Sequence, residues 1–120
     1  MATYSKKTLS GSTNGRAVLV SASIAGSAVT IHTGPSASTS FDEVWLYATN
    51  PDTSSHILTI MWGGTTNPND YINAIVPAYS AVTLLSPGLI IQGNATPLVI
   101  TAFADVSSKV AITGYVNGIV

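Results

Sequence analysis

The sequence predicts an all-β protein that folds as a single antiparallel β-sandwich or jelly-roll-like domain with a short N-terminal arm. Val, Ile and Thr favour strands, and together they account for 37 of the 120 residues. Short apolar runs recur roughly every ten residues with Gly, Pro and Asn between them, a spacing typical of sandwiches. No segment carries a helical period over three turns, so the sequence predicts no long helix.

The chain divides into a short arm and one domain. Residues 1–14 are polar and lack a periodic apolar face, so we predict an extended arm or first edge strand that ends at the Asn14-Gly15 turn. Residues 15–120 are predicted to form the β-sandwich domain. Its predicted strands are 16–22, 27–33, 41–49, 56–62, 71–76, 80–85, 88–92, 97–104 and 109–117.

Several predicted strands are apolar on both faces. In residues 41–49, one side carries aliphatic side chains and the other carries Trp45 and Tyr47; residues 56–62 and 97–104 show a similar pattern. A strand with one face in water alternates apolar and polar residues instead. Because a chain of this length has room for one sandwich core, the pattern predicts that a partner subunit covers the second face.

The charge content points to the same kind of contact. Only 8 % of the residues are charged, against about 25 % in typical soluble domains, and the net charge is −1. No basic surface is available to neutralise phosphates, so no nucleic-acid partner is expected. A near-neutral surface protects poorly against self-association, which predicts a homo-oligomer. The candidate interface residues are Trp45, Tyr47 and Phe103.

The sequence lacks the motifs of the common enzyme classes. With no cysteine, a disulfide scaffold, a thiolate metal site and a cysteine nucleophile are excluded. No nucleophile elbow, zinc-protease helix, P-loop or dinucleotide-binding loop occurs. We therefore predict no enzymatic activity, no catalytic residues, no cofactor and no metal. No apolar run approaches the 18 or so residues of a membrane-spanning helix, so no membrane association is expected.

A few polar residues remain as weak candidates for chemistry. His32 and His56 could pair with Asp42 or Asp52 as metal ligands or as a base–carboxylate couple, but no short-range spacing supports this, and structural roles are favoured. Asp52 and Asp70 lie in turn-rich loops, where a calcium site is conceivable. Because Asp is also a common turn residue, the turn role is favoured there.

Aromatic residues on neighbouring strands suggest a second function. Trp45, Tyr47, Trp62 and Tyr71 could form a platform for sugar rings, which stack on aromatic side chains. The favoured interpretation is that these residues belong to the core and to a subunit interface. A carbohydrate-binding or adhesion module therefore stands as the alternative function.

A set of strand and turn segments carries a resemblance to a known protein class. The chain resembles small β-rich virion proteins of tailed bacteriophages, especially marine and cyanobacterial phages, of the capsid decoration (cement) type. The likeness covers the chain from about residue 4 to its end and consists of structural segments. These segments are residues 41–50 (FDEVWLYATN), 58–66 (LTIMWGGTT), 75–78 (IVPA), 87–90 (PGLI) and 114–119 (GYVNGI).

The resemblance implies a location and a partner. Such proteins are β-sandwiches or barrels that assemble as dimers or trimers on the outer capsid lattice, where they clamp neighbouring major capsid proteins. The resemblance therefore favours a homotrimer, which would match the threefold positions of an icosahedral shell, with a dimer as the alternative. It implies a chain made in the host cytoplasm and located on the virion, without catalytic residues; head fibres and tail-tube or fibre modules share the composition. On this hypothesis the arm docks onto the major capsid protein through Tyr4 and Leu9, with Lys6 and Lys7 supplying attraction.

Overall fold

The computed structural model describes residues 2–120, apart from the side chain of Ala81; Met1 of the predicted arm lies outside the described residues. Residues 2–120 form nine strands and one short 3-10 turn, Ala25–Ser27. The strands are β1 (Tyr4–Thr8), β2 (Val18–Leu19), β3 (Val29–Thr33), β4 (Phe41–Asn50), β5 (His56–Trp62), β6 (Tyr71–Val76), β7 (Ser80–Gln92), β8 (Val99–Ala104) and β9 (Ala111–Ile119).

The strands form two antiparallel sheets packed face to face. Sheet A has the order β1-β9-β4-β7, with β2 also paired to β9, and sheet B has the order β3-β8-β5-β6. The chain crosses from one sheet to the other at most of its connections, so each sheet combines strands from both halves of the chain. This arrangement is that of a jelly roll. The prediction of an all-β sandwich is confirmed.

The core lies between the sheets and is built from alternate residues of the long strands. β4 shows the rule most clearly, since every second residue from Asp42 to Asn50 is buried. Burying a large aliphatic side chain stabilises the fold by roughly 1.5–3 kcal/mol relative to leaving it exposed. The largest fully buried side chains include Ile31, Leu46, Leu58, Ile60, Ile100 and Ile112.

One predicted break is instead a bulge. The sequence predicts separate strands at 80–85 and 88–92, whereas β7 continues through both. The register between β4 and β7 shifts where Val44 and Trp45 face Leu89 and Pro87. Gly88 lies at φ +80°, a conformation that glycine adopts without strain, so the extra residue bends the strand without ending it.

The N-terminal segment belongs to the sandwich, which corrects the division into an arm at 1–14 and a domain at 15–120. β1 pairs with β9 from Tyr4 opposite Ile119 to Thr8 opposite Tyr115. The side chain of Leu9 is only 2 % exposed and lies in the core. An edge strand needs no apolar face of its own when its neighbour supplies backbone hydrogen-bond partners. This explains why the sequence of β1 shows no apolar periodicity. The predicted turn is present, with φ of 53° at Asn14 and 83° at Gly15.

The residues after β1 tie this segment to the opposite sheet. The Ser10 N–H donates a hydrogen bond to Nδ1 of His32 at 3.0 Å, and the Ser10 hydroxyl accepts one from the Thr33 N–H at 2.7 Å. The Gly11 N–H donates to the carbonyl of Ile31 at 2.9 Å. The segment therefore belongs to sheet A through β1 and is bonded to sheet B through β3.

Replacing Leu9 with Ala tests this placement. Because Leu9 fills part of the core, we expect the L9A variant to lose about 2–5 kcal/mol of unfolding free energy, measured by urea denaturation. The control is Ile24→Ala, whose side chain is 63 % exposed and should change stability by less than about 0.5 kcal/mol. Equal, small effects of the two substitutions would show that residues 1–14 are a free arm.

Candidate functional site

Four residues form a stack across the outer face of sheet A, one from each strand. Nζ of Lys6 lies 4.9 Å from the ring centroid of Tyr115. The Tyr115 ring is stacked on that of Trp45, with centroids 6.0 Å apart and planes inclined by 10°. Trp45 in turn lies against Gly88, where a Cβ atom would come within 2.9 Å of Cζ2 of the indole. The stack therefore connects β1, β9, β4 and β7, which are neighbours in that order in sheet A.

A carboxylate completes this cluster. Oε1 of Glu43 accepts hydrogen bonds from Nε1 of Trp45 at 2.8 Å and from Nδ2 of Asn117 at 3.1 Å. These bonds, chiefly the one from Trp45, hold the pKa of Glu43 below its ordinary value. Glu43 therefore stays ionised and fixes the orientation of the indole ring.

The aromatic residues considered for sugar binding do not share one surface. Trp45 and Tyr47 lie on the outer face of sheet A, and both faces of the Tyr115 ring beside them are covered by protein. Trp62 packs against the core. Tyr71 lies on the outer face of sheet B, in an edge-to-face contact with Phe103 at 5.9 Å.

The same placement separates the predicted interface residues. The sequence grouped Trp45, Tyr47 and Phe103 as candidates for one oligomer contact. In the structure the first two are half-buried on sheet A, and Phe103 is half-buried on sheet B, on the opposite side of the sandwich. One flat contact with a neighbouring subunit therefore cannot include all three residues.

The residues assigned to a docking arm also separate. Tyr4 is 70 % exposed on β1, and Lys6 beside it belongs to the stack. Lys7 forms an ion pair with Asp42 at 3.1 Å. Leu9 lies in the core, so the structure corrects its assignment as a partner contact; Tyr4, Lys6 and Lys7 remain exposed on β1.

Residues 71–92, which include the edge strands β6 of sheet B and β7 of sheet A, carry many of the exposed apolar side chains. We call residues 71–92 the β6–β7 flank. Among residues 2–120, twelve large hydrophobic side chains are exposed, and six of them belong to the flank. They are Ile75, Tyr79, Val82, Leu84, Leu89 and Ile90. Exposed apolar groups that cluster in this way mark an interaction surface.

The flank also lacks charge. The sequence has no Asp, Glu, Lys, Arg or His from Tyr71 to Ala104. Sheet edges are commonly protected from pairing by charged side chains, and β1 carries Lys6 and Lys7. β7 is a long edge strand without charged side chains, interrupted by Pro87 and by three register shifts with β4, and its exposed apolar residues make the flank the candidate assembly surface. The charge-free run is visible in the sequence and is the signal that identifies it.

Of the two histidines, His32 is part of a buried polar network. Because the Ser10 N–H donates to Nδ1, that nitrogen carries no hydrogen, and Nε2 donates to Oδ2 of Asp42 at 2.7 Å. The other oxygen of Asp42 is bound to Lys7 at 3.1 Å. The network therefore holds a neutral imidazole beside an ion pair and joins β1, β3 and β4.

His56 has the opposite arrangement. Its Nε2 lies 2.7 Å from Oδ2 of Asp52, and its Nδ1 lies 3.1 Å from Oδ1 of Asp105. Only the imidazolium form donates from both ring nitrogens, so this geometry suits a charged ring. The bond from His56, followed by the backbone N–H of Thr53, lowers the pKa of Asp52, and Lys109 adds a smaller attraction. The cluster ties the loop after β4 to the loop after β8.

Both histidine clusters therefore join separate segments of the fold. This geometry fits a structural role for the two histidines. Asp70 accepts a hydrogen bond from the Thr66 N–H at 2.9 Å within the loop before β6, as expected of a turn residue. In residues 2–120, no group of three or more His, Cys, Asp or Glu side chains is placed to hold a metal ion. The same residues contain no helix long and apolar enough to cross a membrane.

Comparison with known proteins found no match to any family model, curated protein or solved structure. The jelly-roll fold occurs in proteins with many unrelated functions, so the fold alone does not identify one. The assignment of function therefore depends on the surfaces described above.

Replacing Gly88 with Ala tests the stack on sheet A. The new Cβ would collide with the indole of Trp45 at a backbone conformation that disfavours side chains, so we expect a loss of about 1–3 kcal/mol in unfolding free energy. The matched control is Gly26→Ala, where a Cβ would meet nothing within 4 Å and stability should stay the same or rise by up to about 1 kcal/mol. Similar effects at both positions would argue against a stack that depends on Gly88.

Stability should depend on pH through Asp52. Its pKa is lower in the folded chain than the ordinary 3.8, so its contribution is complete above that value and disappears as pH falls through the folded value. We expect Asp52→Asn to be less stable than the natural chain at mildly acidic pH and to approach it under strong acid. Denaturation curves across this range measure the difference. A difference that is independent of pH would contradict the ionic role of Asp52.

Proposed function

We propose that this chain is a structural, non-enzymatic virion protein of the capsid decoration type, which binds the outer surface of a phage capsid and stabilises the shell. The observation that carries the proposal is the exposed, charge-free β6–β7 flank, together with few charges elsewhere. Such a surface is poorly suited to an isolated molecule in water and well suited to one surrounded by protein.

The arrangement of the charged residues supports the same proposal. Five of them, Lys7, Asp42, Asp52, Asp105 and Glu43, have partners within the fold. Their charges hold segments together and are less available for recognising a small charged ligand. A shell component needs only a rigid body with weak contacts repeated over a lattice, because multivalency strengthens each of them.

On this proposal, the edge formed by β1 contacts the major capsid protein. Tyr4 offers an exposed aromatic ring, and Lys6 offers a positive charge held over Tyr115. A strand edge of a neighbouring protein can add to a sheet through backbone hydrogen bonds. The chain acts as a homo-oligomer on the virion surface after synthesis in the host cytoplasm.

The alternative is a carbohydrate-binding or host-adhesion module. Jelly rolls serve as lectin domains as well as viral capsid domains, so the fold accommodates both functions. A sugar platform needs aromatic rings exposed in one plane, whereas Trp45, Trp62 and Tyr71 lie in different layers of this structure. The shell function is therefore the one that we propose.

Rebinding to capsids tests the proposal. Phage particles that carry this protein are stripped of it and incubated with the natural chain or with a Tyr4→Ser, Lys6→Glu double variant. We expect the natural chain to restore occupancy and thermal resistance of the capsid, and the variant to lose most of its occupancy. Attraction by Lys6 is screened within about 10 Å at 0.1 M salt, so occupancy should also fall as salt rises.

The control for this experiment is Ile24→Ser, an exposed change away from β1 that should bind as the natural chain does. The melting temperature of each isolated variant shows that the fold is intact. Full occupancy of the double variant would remove β1 from the contact. A natural chain that fails to rebind capsids and instead binds glycans would favour the adhesion alternative.

A further inference from the structure

We infer that the β6–β7 flank binds the same flank of a second copy of this chain about a two-fold axis, with the two β7 strands pairing antiparallel so that sheet A continues across both subunits. This inference builds on the proposed function, since homo-oligomerisation is part of it, and names the surface and the symmetry. It also identifies the occupant of the flank as a copy of the chain itself.

The first argument is the strand edge. β7 spans thirteen residues and pairs with β4 on one side; within residues 2–120 no strand pairs with its other side. A long edge strand with apolar side chains is a template for pairing with another chain. An antiparallel pair of identical strands satisfies two-fold symmetry, because each residue then meets the same set of partners in both copies.

The second argument is charge. A partner that recognises a surface by ionic groups must find opposite charges there, and the run from Tyr71 to Ala104 offers none. A charged partner surface would lose water without gaining an ion pair. A second copy of the flank brings no charge into the contact, so nothing charged is buried and no like charges meet. The composition thus favours self-pairing over binding to an acidic or basic protein.

The third argument excludes the other edge of sheet A as the partner of β7. β1 has only five residues and carries Lys6 and Lys7. Lys6 lies over Tyr115, and Lys7 is bound to Asp42, so both cations are held close to this edge. Pairing β7 with β1 of a neighbour would place apolar side chains against these lysines. Pairing of like edges follows, which gives a dimer instead of the trimer that the resemblance favours.

The bulge limits the paired region to the first half of β7. Pro87 has no N–H to donate, and Gly88 bends the strand. Residues 80–86 contain two further register shifts with β4, between Ser86 and Leu84 and between Thr83 and Ser80, so the pairing centres on Val82 and Leu84, whose apolar side chains are exposed. Leu84 lies opposite Tyr47 of β4, so it faces outward at the edge where the second copy would lie. Cross-strand contacts of this kind stabilise a sheet.

A charge placed at Leu84 tests the inference on the isolated protein. The mass in solution is measured by light scattering at micromolar concentrations for the natural chain, Leu84→Lys, Val82→Lys and Leu19→Lys. Leu19 is the matched control, because Leu19 and Leu84 are each 51 % exposed and Leu19 lies on β2, away from the flank. Each lysine would be well solvated in a monomer, so all four proteins should fold.

The mass of one chain is 12.3 kDa. We expect the natural chain and Leu19→Lys to show twice this mass, as dimers, and the two flank variants to show the mass of a monomer. The dissociation constant of the dimer should rise about tenfold or more in the flank variants, because apolar cross-strand contacts are lost and lysines of like charge meet across the paired strands. Circular dichroism checks that each variant is folded.

Three results would overturn the inference: a natural chain that stays monomeric, a trimer mass, or a folded Leu84→Lys variant that remains as dimeric as the natural chain. The measurement involves no capsid, so it is separable from the proposed function. A dimer that fails to bind particles would contradict the shell function and leave the two-fold contact standing. A monomer that binds particles would contradict the two-fold contact and leave the shell function standing.

Discussion

A shortage of charge governs this structure. Only nine of the 120 residues are Lys, Arg, Asp or Glu, and several of these side chains connect separate segments of the fold. Lys7 and Asp42 join β1 to β4 beside a neutral imidazole, and Asp52 and Asp105 hold two loops through the ring of His56. Each pair has one partner that lies largely inside the protein, Asp42 or His56, whereas Lys7 and Asp105 are each 44 % exposed. Removing a partner of the inner group is costly because it leaves a polar or charged group inside the protein without compensation.

The remaining surface is apolar or hydroxylic, and its distribution is uneven. Sheet A protects one of its edges with Lys6 and Lys7, while the β6–β7 flank has no charge and several exposed aliphatic side chains. The outer face of sheet A, in contrast, is closed by the stack of Lys6, Tyr115 and Trp45 on Gly88. This asymmetry is the basis of the proposed assembly through the flank.

Local patterns in the sequence were sufficient to predict much of the fold. The alternation in β4, the β-branched runs of β5 and β6 and the Asn14-Gly15 turn each express a local preference of the chain, and each is present as predicted. Docking of Leu9 was not predictable in this way, because an edge strand with exposed side chains has no periodic signal. Its place depends on backbone partners that β9 supplies from the far end of the chain.

The contacts at the candidate surfaces were harder to predict for the same reason. His56 meets Asp105 across 49 residues, so sequence spacing gives no sign of that pair. The bulge at Pro87-Gly88 resembles a strand break, since both residues interrupt ordinary strands; only pairing with β4 shows that β7 continues. The flank itself had a signal, the long run without charge, but its place on an edge emerges only from the strand order.

Amide hydrogen exchange in β7 as a function of protein concentration tests the central claim most directly, because pairing of two copies protects backbone N–H groups at a known edge. The account predicts that residues 80–86 become more protected as concentration rises, while β1 on the opposite edge is unchanged. Exchange in β7 that is fast and independent of concentration would contradict it.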